Sequence, residues 1–320
     1  MTLAAVTVDL DGVRHYHAIH GLPAPSGPDP LLTRALPRFL EACAAHGIRA
    51  TLFTVGQDLS DPDVARLIRQ AAHDGHEIAS HSFSHDYRLT HFTAQAMRAD
   101  LVAAVEAIEK VTGTRPLGFR APGYNLNESL LDAVASTGHR YDSSIFPSWP
   151  YFLARAAAIV AYGVRGSPSR SLVGDPRQFT GPRRPYVPAA QELARPARPG
   201  ESARGLWELP IAVSGPLGLP LIGTFIPMYP ALIRRVLTSW RTRVGGPFNL
   251  ELHALDFAEA SDGLAPELVS RQRDLATPLS TRISAIRSVM GALADQMEVL
   301  PLRAWLPALG TPLTRPGGRG

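Results

Sequence analysis

The first 145 residues alternate short apolar runs with helical segments, at a spacing that leaves few folds open. Ala4-Ala5-Val6-Thr7-Val8 reads as a buried strand, followed by a long loop and a helix across Leu31 to His46 that Gly47 ends. Residues 50–55 give the next strand, Pro62 to His73 a helix that stops before Gly75, and Glu77 to Ser80 a third strand. A helix over Thr93 to Val111 leads to a strand at Leu117 to Arg120, and a helix over Glu128 to Ser136 to a strand at Arg140 to Ser143. Strand and helix units repeated at this interval predict an α/β fold whose parallel sheet is closed, or nearly closed, into a barrel.

The alternation breaks between Ile145 and Gly205. Nine prolines fall there, from Pro147 to Pro199, with several glycines and arginines. The stretch 145–205 is therefore expected to be a long irregular insertion, a feature that in a compact domain is usually functional or mobile. Its opening, Tyr151 to Val164, is apolar enough for a short helix. Barrel logic resumes at Leu206 to Pro210 and at Phe248 to His253, and a helix over Pro278 to Ala294 and a strand near Val299-Leu300 close the pattern. The expected organisation is one domain over residues 1–310 and a frayed tail over 311–320.

Bulk properties narrow the function. The chain has 320 residues, 45% of them hydrophobic, which is enough for a barrel-sized core. The net charge of +4 comes almost wholly from scattered arginines, with Lys110 the only lysine, and no basic run is interleaved with aromatics. Nucleic-acid binding is not expected. Cys43 is the only cysteine, so no disulfide forms within the chain, and its apolar neighbours point to packing. The N-terminus runs directly into Asp9 without the basic start and apolar stretch of a signal peptide. No run of about 18 apolar residues is present, so a cytoplasmic location is the expectation.

The unusual polar residues gather at the carboxyl ends of the expected strands, the rim where parallel barrels place catalysis. Asp9 and Asp11 alternate around Leu10 and so share a side of the strand. A carboxylate there caps the following turn or holds a metal, and Gly12 suits the first reading. His81 and His85, in His81-Ser82-Phe83-Ser84-His85, decide for the second. Two histidines four apart share one face of a helical turn, and with one carboxylate they give three ligands and a vacant position. The second carboxylate is left as a base. His15, His17, His20, His46, His73 and His76 are expected at the surface or as caps, and His91 as exposed. Arg120, Asp142 and His253 also end strands.

These motifs resemble the polysaccharide deacetylases of the NodB-homology type, carbohydrate esterase family 4. The matching elements are Asp9-Leu10-Asp11, His81 to His85, Phe119-Arg120-Ala121-Pro122-Gly123-Tyr124, Tyr141-Asp142-Ser143-Ser144 and Leu252-His253. The stretch from Trp207-Glu208-Leu209-Pro210 through Pro220 and Tyr229 resembles the subgroup linked to bacterial exopolysaccharide gene clusters. The resemblance implies a distorted (β/α)7 barrel with metal ligands Asp11, His81 and His85. It also implies a metal-bound water as nucleophile, Asp9 as general base and His253 as general acid. Arg120 would orient Asp9, Asp142 would orient or tune His253, and a backbone N–H near Gly123 or Tyr124 would stabilise the oxyanion. The implied cofactor is Zn²⁺ or another divalent transition metal, and the implied reaction is removal of an N-acyl group from an amino sugar or glycan.

Two departures bear on the substrate. Leu10 separates aspartates that many members hold adjacent, and Gly123-Tyr124 stands where others place an aromatic directly after proline. A deformylase or amidase acting on a small or lipid-linked molecule is the alternative enzyme. The apolar stretches Tyr151 to Val164 and Leu217 to Met228 would contact a membrane surface in that case, but the expectation is that both simply cover the barrel. A sugar-binding relative without activity is the alternative outside enzymes, and a closed four-ligand structural metal site is a third.

Overall fold

The computed structural model describes residues 2–164, 172–243 and 245–312. Its first strand is the apolar run at the N-terminus, β1 (Leu3–Leu10), buried on both faces as a strand inside a parallel sheet must be. The chain continues through α1 (Val13–Ile19), α2 (Leu36–Ala44), β2 (Thr51–Thr54), α3 (Pro62–His73), β3 (Glu77–Ser80), α4 (Ala94–Thr112), β4 (Gly118–Phe119), α5 (Glu128–Ser136) and β5 (Tyr141–Asp142). Next come α6 (Trp149–Val164), the hairpin of β6 (Pro188–Ala189) and β7 (Glu192–Pro196), then β8 (Trp207–Glu208). The remainder is the hairpin of β9 (Val213–Ser214) and β10 (Leu219–Pro220), α7 (Pro230–Arg243), β11 (Phe248–His253), α8 (Pro266–Arg271), α9 (Leu279–Gln296), β12 (Glu298–Val299) and α10 (Leu306–Leu309).

The main sheet runs β11-β1-β2-β3-β4-β5-β8, all parallel, with β12 paired to the start of β1. This is a distorted (β/α)7 barrel. Between β8 and β11, hydrogen bonds stand in for a full ladder. Asn249 donates its Nδ2 to Leu209 O at 3.1 Å and to Ser143 Oγ at 3.0 Å, and the Ala212 N–H reaches Asn249 O at 3.0 Å.

Strand alternation sorts the core. Val6, Val8 and Leu10 point outward and join Phe39, Leu52, Ile68, Leu250 and Ile286 in the layer under the helices. Ala5 points inward, where Phe53, Ala79, Tyr141 and Trp305 fill the barrel floor. Truncating a fully buried outer-layer side chain such as Leu52 to Ala removes about 2–5 kcal/mol of stability. Above the floor the inward positions turn polar, Thr7 then Asp9 on β1 and Asn249, Glu251 then His253 on β11. The site therefore sits at the carboxyl rim. The helices around it are stopped and started by their sequence: Asp61 caps α3 by accepting from Asp63 N at 2.8 Å, Asn127 caps α5, and Gly113, at φ +69°, ends α4.

Several expectations are corrected. The loop expected after β1 contains α1, so His15 and His17 are buried rather than at the surface, while His20, also buried, is the C-cap residue of that helix. His76 is buried too, its Nδ1 accepting the Ala50 N–H at 3.0 Å. The segment 145–205 is less irregular than its prolines suggest. They fall where proline costs least: Pro150 in the first turn of α6, Pro176 at the start of a 3₁₀ turn, and Pro188 and Pro196 in a two-stranded hairpin. The helix expected at its opening is α6. Of the tail 311–320, residues 313–320 lie outside the described residues.

Candidate metal centre and active site

Alternation along β1 and the turn after it bring Asp9 and Asp11 to one side, facing the β3–α4 loop. His81 and His85 do not share a helical turn, as their spacing predicts. They sit in a loop whose Ser82 and His85 adopt left-handed backbone, at φ +64° and +54°. Such conformations persist only where neighbours fix them. Asp100 of α4 does so by accepting the Phe83 and Ser84 N–H groups at 2.8 and 3.1 Å, while Ser82 Oγ accepts the His85 N–H at 3.0 Å. The His81 Nδ1–H donates to Arg120 O at 2.7 Å, and a carbonyl can only accept, so its Nε2 is left as the bare nitrogen.

That nitrogen faces Asp11. His81 Nε2 lies 3.2 Å from Asp11 Oδ1, and His85 Nε2 lies 2.9 Å from the same oxygen. The three atoms fall within 4.8 Å of one another, and all three residues are buried. Neither Asp11 Oδ1 nor His85 Nε2 makes a well-directed hydrogen bond among the described residues. The carboxylate and imidazoles crowd one point without satisfying each other, and a cation at that point would satisfy all three. Although burial opposes its charge, the two histidines hold Asp11 well below the usual carboxylate range. His15 packs on His85 with ring centroids 3.9 Å apart, and burial together with the His85 charge drives it far below its ordinary pKa, so it stays neutral.

Asp9 is held from the other side. The Arg120 guanidinium, fully buried and 4.0 Å over the Phe53 ring, donates to Asp9 Oδ1 at 2.6 Å. The same side chain reaches Thr7 Oγ1 at 3.1 Å and Ser143 O and Oγ at 2.9 Å. Asp9 Oδ2 faces the metal-ligand side, 3.9 Å from His81 Nε2. Burial raises the Asp9 pKa above its ordinary value, and Arg120 and His81 limit that rise.

His253 sits at the same register as Asp9 on the neighbouring strand. Its partner is Glu251 and not Asp142: the Nδ1 lies 3.0 Å from Glu251 Oε1. Burial opposes a charged imidazole, but Glu251, with Asp11 and Asp9 farther off, outweighs it and holds His253 well above the usual histidine range. Asp142 is occupied elsewhere, accepting from Ser144 Oγ at 2.7 Å and Ser144 N at 3.2 Å beside the buried Glu208. Ser144 Oγ in turn accepts the Ala121 N–H at 2.8 Å, so Asp142 shapes the strand end that carries Pro122 to Tyr124. The Tyr124 N–H is spent on Ala121 O at 2.9 Å, which removes it as an oxyanion donor and leaves the neighbourhood of Gly123.

Asp9, Glu251 and His253 also bring three ligand atoms within 4.8 Å. Arg120 is already charge-coupled to Asp9 and Glu251, so positive charge there comes from the protein itself. That second cluster suits proton transfer, the first a cation. Both open onto one cleft, lined further by Tyr16, Tyr87, Tyr151, Arg155 and Asp256. Sequence reasoning missed Glu251, although it alternates with His253 on one strand face, and it missed Asp100, which no local signal marks.

The family model described as polysaccharide deacetylase matches residues 26–141. Over that span, about a third of the chain, the protein is similar to that family. The matched span holds His81, His85 and Arg120, and the fold brings Asp9, Asp11 and His253 to them from outside it. The chain is similar to the peptidoglycan deacetylase of Helicobacter pylori, 26% identical over 160 residues that make up 47% of this chain and 53% of that protein. It is also similar to the peptidoglycan-N-acetylglucosamine deacetylase of Bacillus cereus, 27% identical over 123 residues, 38% of this chain and 53% of the relative. The chain thus spans about half the length of the curated relatives it matches. A solved structure from Mycobacterium smegmatis, described as a putative polysaccharide deacetylase, shares the fold of this chain. Its TM-score is 0.59 at 20% identity, covering 99% of this chain and 94% of that one.

Proposed function

We propose that the chain is a metal-dependent hydrolase that removes N-acetyl or other N-acyl groups from amino sugars of a bacterial polysaccharide or glycan precursor. One observation carries this reading: a three-donor site, Asp11, His81 and His85, opens on the same cleft as a carboxylate held by an arginine and an imidazole held by a carboxylate. One carboxylate oxygen with two imidazole nitrogens suits Zn²⁺ or another divalent transition ion. When bound, such an ion supplies Lewis acidity and a water acidic enough to ionise near neutral pH.

The protein's own groups divide the remaining work. Asp9 Oδ1 is engaged by Arg120, so Oδ2 is the oxygen that accepts a proton from the attacking water. Glu251 Oε1 lies 3.0 Å from the His253 Nδ1 as a charge partner, which leaves Nε2 as the ring nitrogen free to act. With its pKa held high, His253 is protonated at neutral pH and gives that proton to the departing amine as the C–N bond breaks. Arg120 acts through Asp9, and Asp142 through the Ala121 strand end. The exopolysaccharide-type stretch from Trp207 to Tyr229 supports a bacterial cell-surface glycan or its precursor as the substrate class.

The test is release of acid from N-acylated amino sugars and oligosaccharides by metal-loaded protein. Acetate released from a glycan supports the proposal, and formate released from a small or lipid-linked amide would favour the deformylase alternative. Activity should disappear with a chelator and return with Zn²⁺ or Co²⁺. If metal-loaded, folded protein releases neither acid from any such substrate, the proposal fails in favour of a binding role.

A further inference from the structure

The hydrophobic side chains that the fold leaves exposed are not scattered. Among the described residues, every large one lies in two segments, 149–160 and 217–232. On α6, Trp149, Leu153 and Val160 fall within one narrow stripe at the helical period, 39%, 59% and 65% exposed. Tyr151, Arg155, Ala158 and Ile159, on the opposite face of the same helix, line the cleft. The helix is a wall with the candidate active site on one side and bare apolar surface on the other.

The second segment joins the same surface. Leu217 and Leu219 protrude from the β9–β10 hairpin, and Met228, Tyr229 and Leu232 from the approach to α7. Phe152 of α6, Val213 of β9 and Ile222 belong to one buried cluster, with Phe225 packed against it, so the three pieces form one body. The hairpin turn touches the start of α6 so closely that a Cβ on Gly218 would lie 2.5 Å from Pro147 O.

Charge says what this face meets. In sequence, residues 143–174 and 209–250 contain seven arginines and no Asp or Glu; Arg155 among them turns into the cleft, donating to Gly123 O at 2.8 Å, and the side chains of Arg165, Arg170, Arg241 and Arg243 lie outside the described residues. Arg234 and Arg235 are exposed beside Leu232, and the exposed Arg183 donates to Gly215 O and Pro216 O at the hairpin tip. An apolar patch with an aromatic rim, built from segments without Asp or Glu and bordered by Arg183, Arg234 and Arg235, is complementary to an anionic lipid surface. A water-soluble acidic partner would match the charge but not the protruding leucines.

We propose that the outer face of α6, the β9–β10 hairpin and the start of α7 dock the chain on an anionic lipid bilayer. The cleft then opens about 10 Å, one helix diameter, from the headgroups. No step of the deacylation scheme is needed for this inference.

The test is co-sedimentation of the full chain with vesicles of phosphatidylglycerol and phosphatidylcholine, compared with phosphatidylcholine alone, without substrate. Binding should require the anionic lipid and weaken about ten-fold or more at 0.5 M salt and in the Leu153→Glu, Leu232→Glu double variant. Circular dichroism checks that the variant is folded. If it is not, brominated-lipid quenching of the wild-type chain, compared with Trp149→Phe, reports insertion directly. Absence of binding to anionic vesicles, or binding unchanged in the folded variant without quenching of Trp149, overturns the proposal. So does a wild-type dimer in sedimentation velocity that the same substitutions dissolve while vesicle binding is absent, since the face would then belong to a second copy. Any of these failures leaves the acid-release test untouched.

Discussion

Glu251 stands two residues before His253 on β11, and its Oε1 lies 3.0 Å from the His253 Nδ1. The pairing is local, set by strand alternation, and it is buried: Glu251 is fully enclosed while the His253 side chain keeps 22% of its surface open to the cleft. A negative charge at that distance stabilises the imidazolium. It also leaves the second ring nitrogen free to act.

The pH dependence follows from this pair. His253 works as an acid, so its protonated form is the active one, and kcat/KM should fall as pH rises through the raised pKa. Glu251→Gln keeps the shape of the side chain but removes the charge that opposes desolvation, so the pKa falls and the alkaline limb moves to lower pH. At pH 8 the variant should lose about ten-fold or more in kcat/KM. Near the pH where both forms remain protonated the loss should be smaller. The pair's contribution to stability has the same sign, present below about pH 6.5 and lost as pH rises through the folded value. A pH–rate profile checks both limbs. An unshifted alkaline limb would remove Glu251 from this role.

Asp100 makes a separate prediction about the metal centre. It touches neither ligand, but its carboxylate accepts the two N–H groups of Phe83 and Ser84, between His81 and His85. Asp100→Ala frees both donors and relaxes the left-handed turn that aims His85. Metal affinity should fall about 10–100-fold, the range usual for groups that orient ligands. Asp100→Asn, which keeps one acceptor oxygen, should fall less. Competition with a chromogenic chelator measures both. Equal affinity in all three proteins would mean that the loop holds its shape without Asp100.

The fold was legible because its signal is one-dimensional. Buried strands written as continuous apolar runs, and helices closed at Gly47, Gly75 and Gly113, announce themselves locally. Asp9, Asp11, His81, His85 and His253, which the fold brings together, stood out for a related reason: charge at the end of an apolar strand has few structural uses. What stayed hidden depends on contacts between distant segments. The burial of His15 requires α1 to fold back over His85, and nothing in Val13 to Ile19 states that. Asp100 reads as an ordinary polar position in α4, and its importance exists only because Ser82 and His85 turn left-handed beside it. Asp142 misled because its place in a motif said nothing of Glu251, which is nearer to His253.

Gly123 tests the wall of the cleft. Its φ is +57°, and a Cβ there would lie 2.5 Å from Cε1 of Tyr87 and 2.8 Å from an Arg155 guanidinium nitrogen. Tyr87 packs edge-on against His85 at 5.2 Å, so a displaced ring presses on the metal centre. Gly123→Ala should cost about 1–3 kcal/mol of stability through backbone strain and overpacking. A thermal melt reads that loss, and steady-state kinetics should show it accompanied by weakened catalysis. A variant as stable and active as the parent would mean that the Pro122 to Tyr124 turn yields freely.

Arg120 and Asp9 form the most deeply buried ion pair of the site, and a double-mutant cycle separates its two functions. Arg120→Met leaves Asp9 as an uncompensated buried carboxylate and strips hydrogen bonds from Thr7 and Ser143, so it should destabilise by about 3–5 kcal/mol. Asp9→Asn leaves Arg120 its bonds to Ser143 and should cost less, about 1–3 kcal/mol. The double variant no longer buries a lone charge, so the two losses should not add, with a coupling of about 1 kcal/mol or more. Metal content distinguishes structure from chemistry. Asp9 is not among the three crowded donors, so Asp9→Asn should retain full metal stoichiometry while acid release falls by about 10²-fold or more, as loss of a general base does. Activity surviving in a folded, metal-loaded Asp9→Asn protein would move the base elsewhere. Loss of metal in that protein would instead place Asp9 among the ligands.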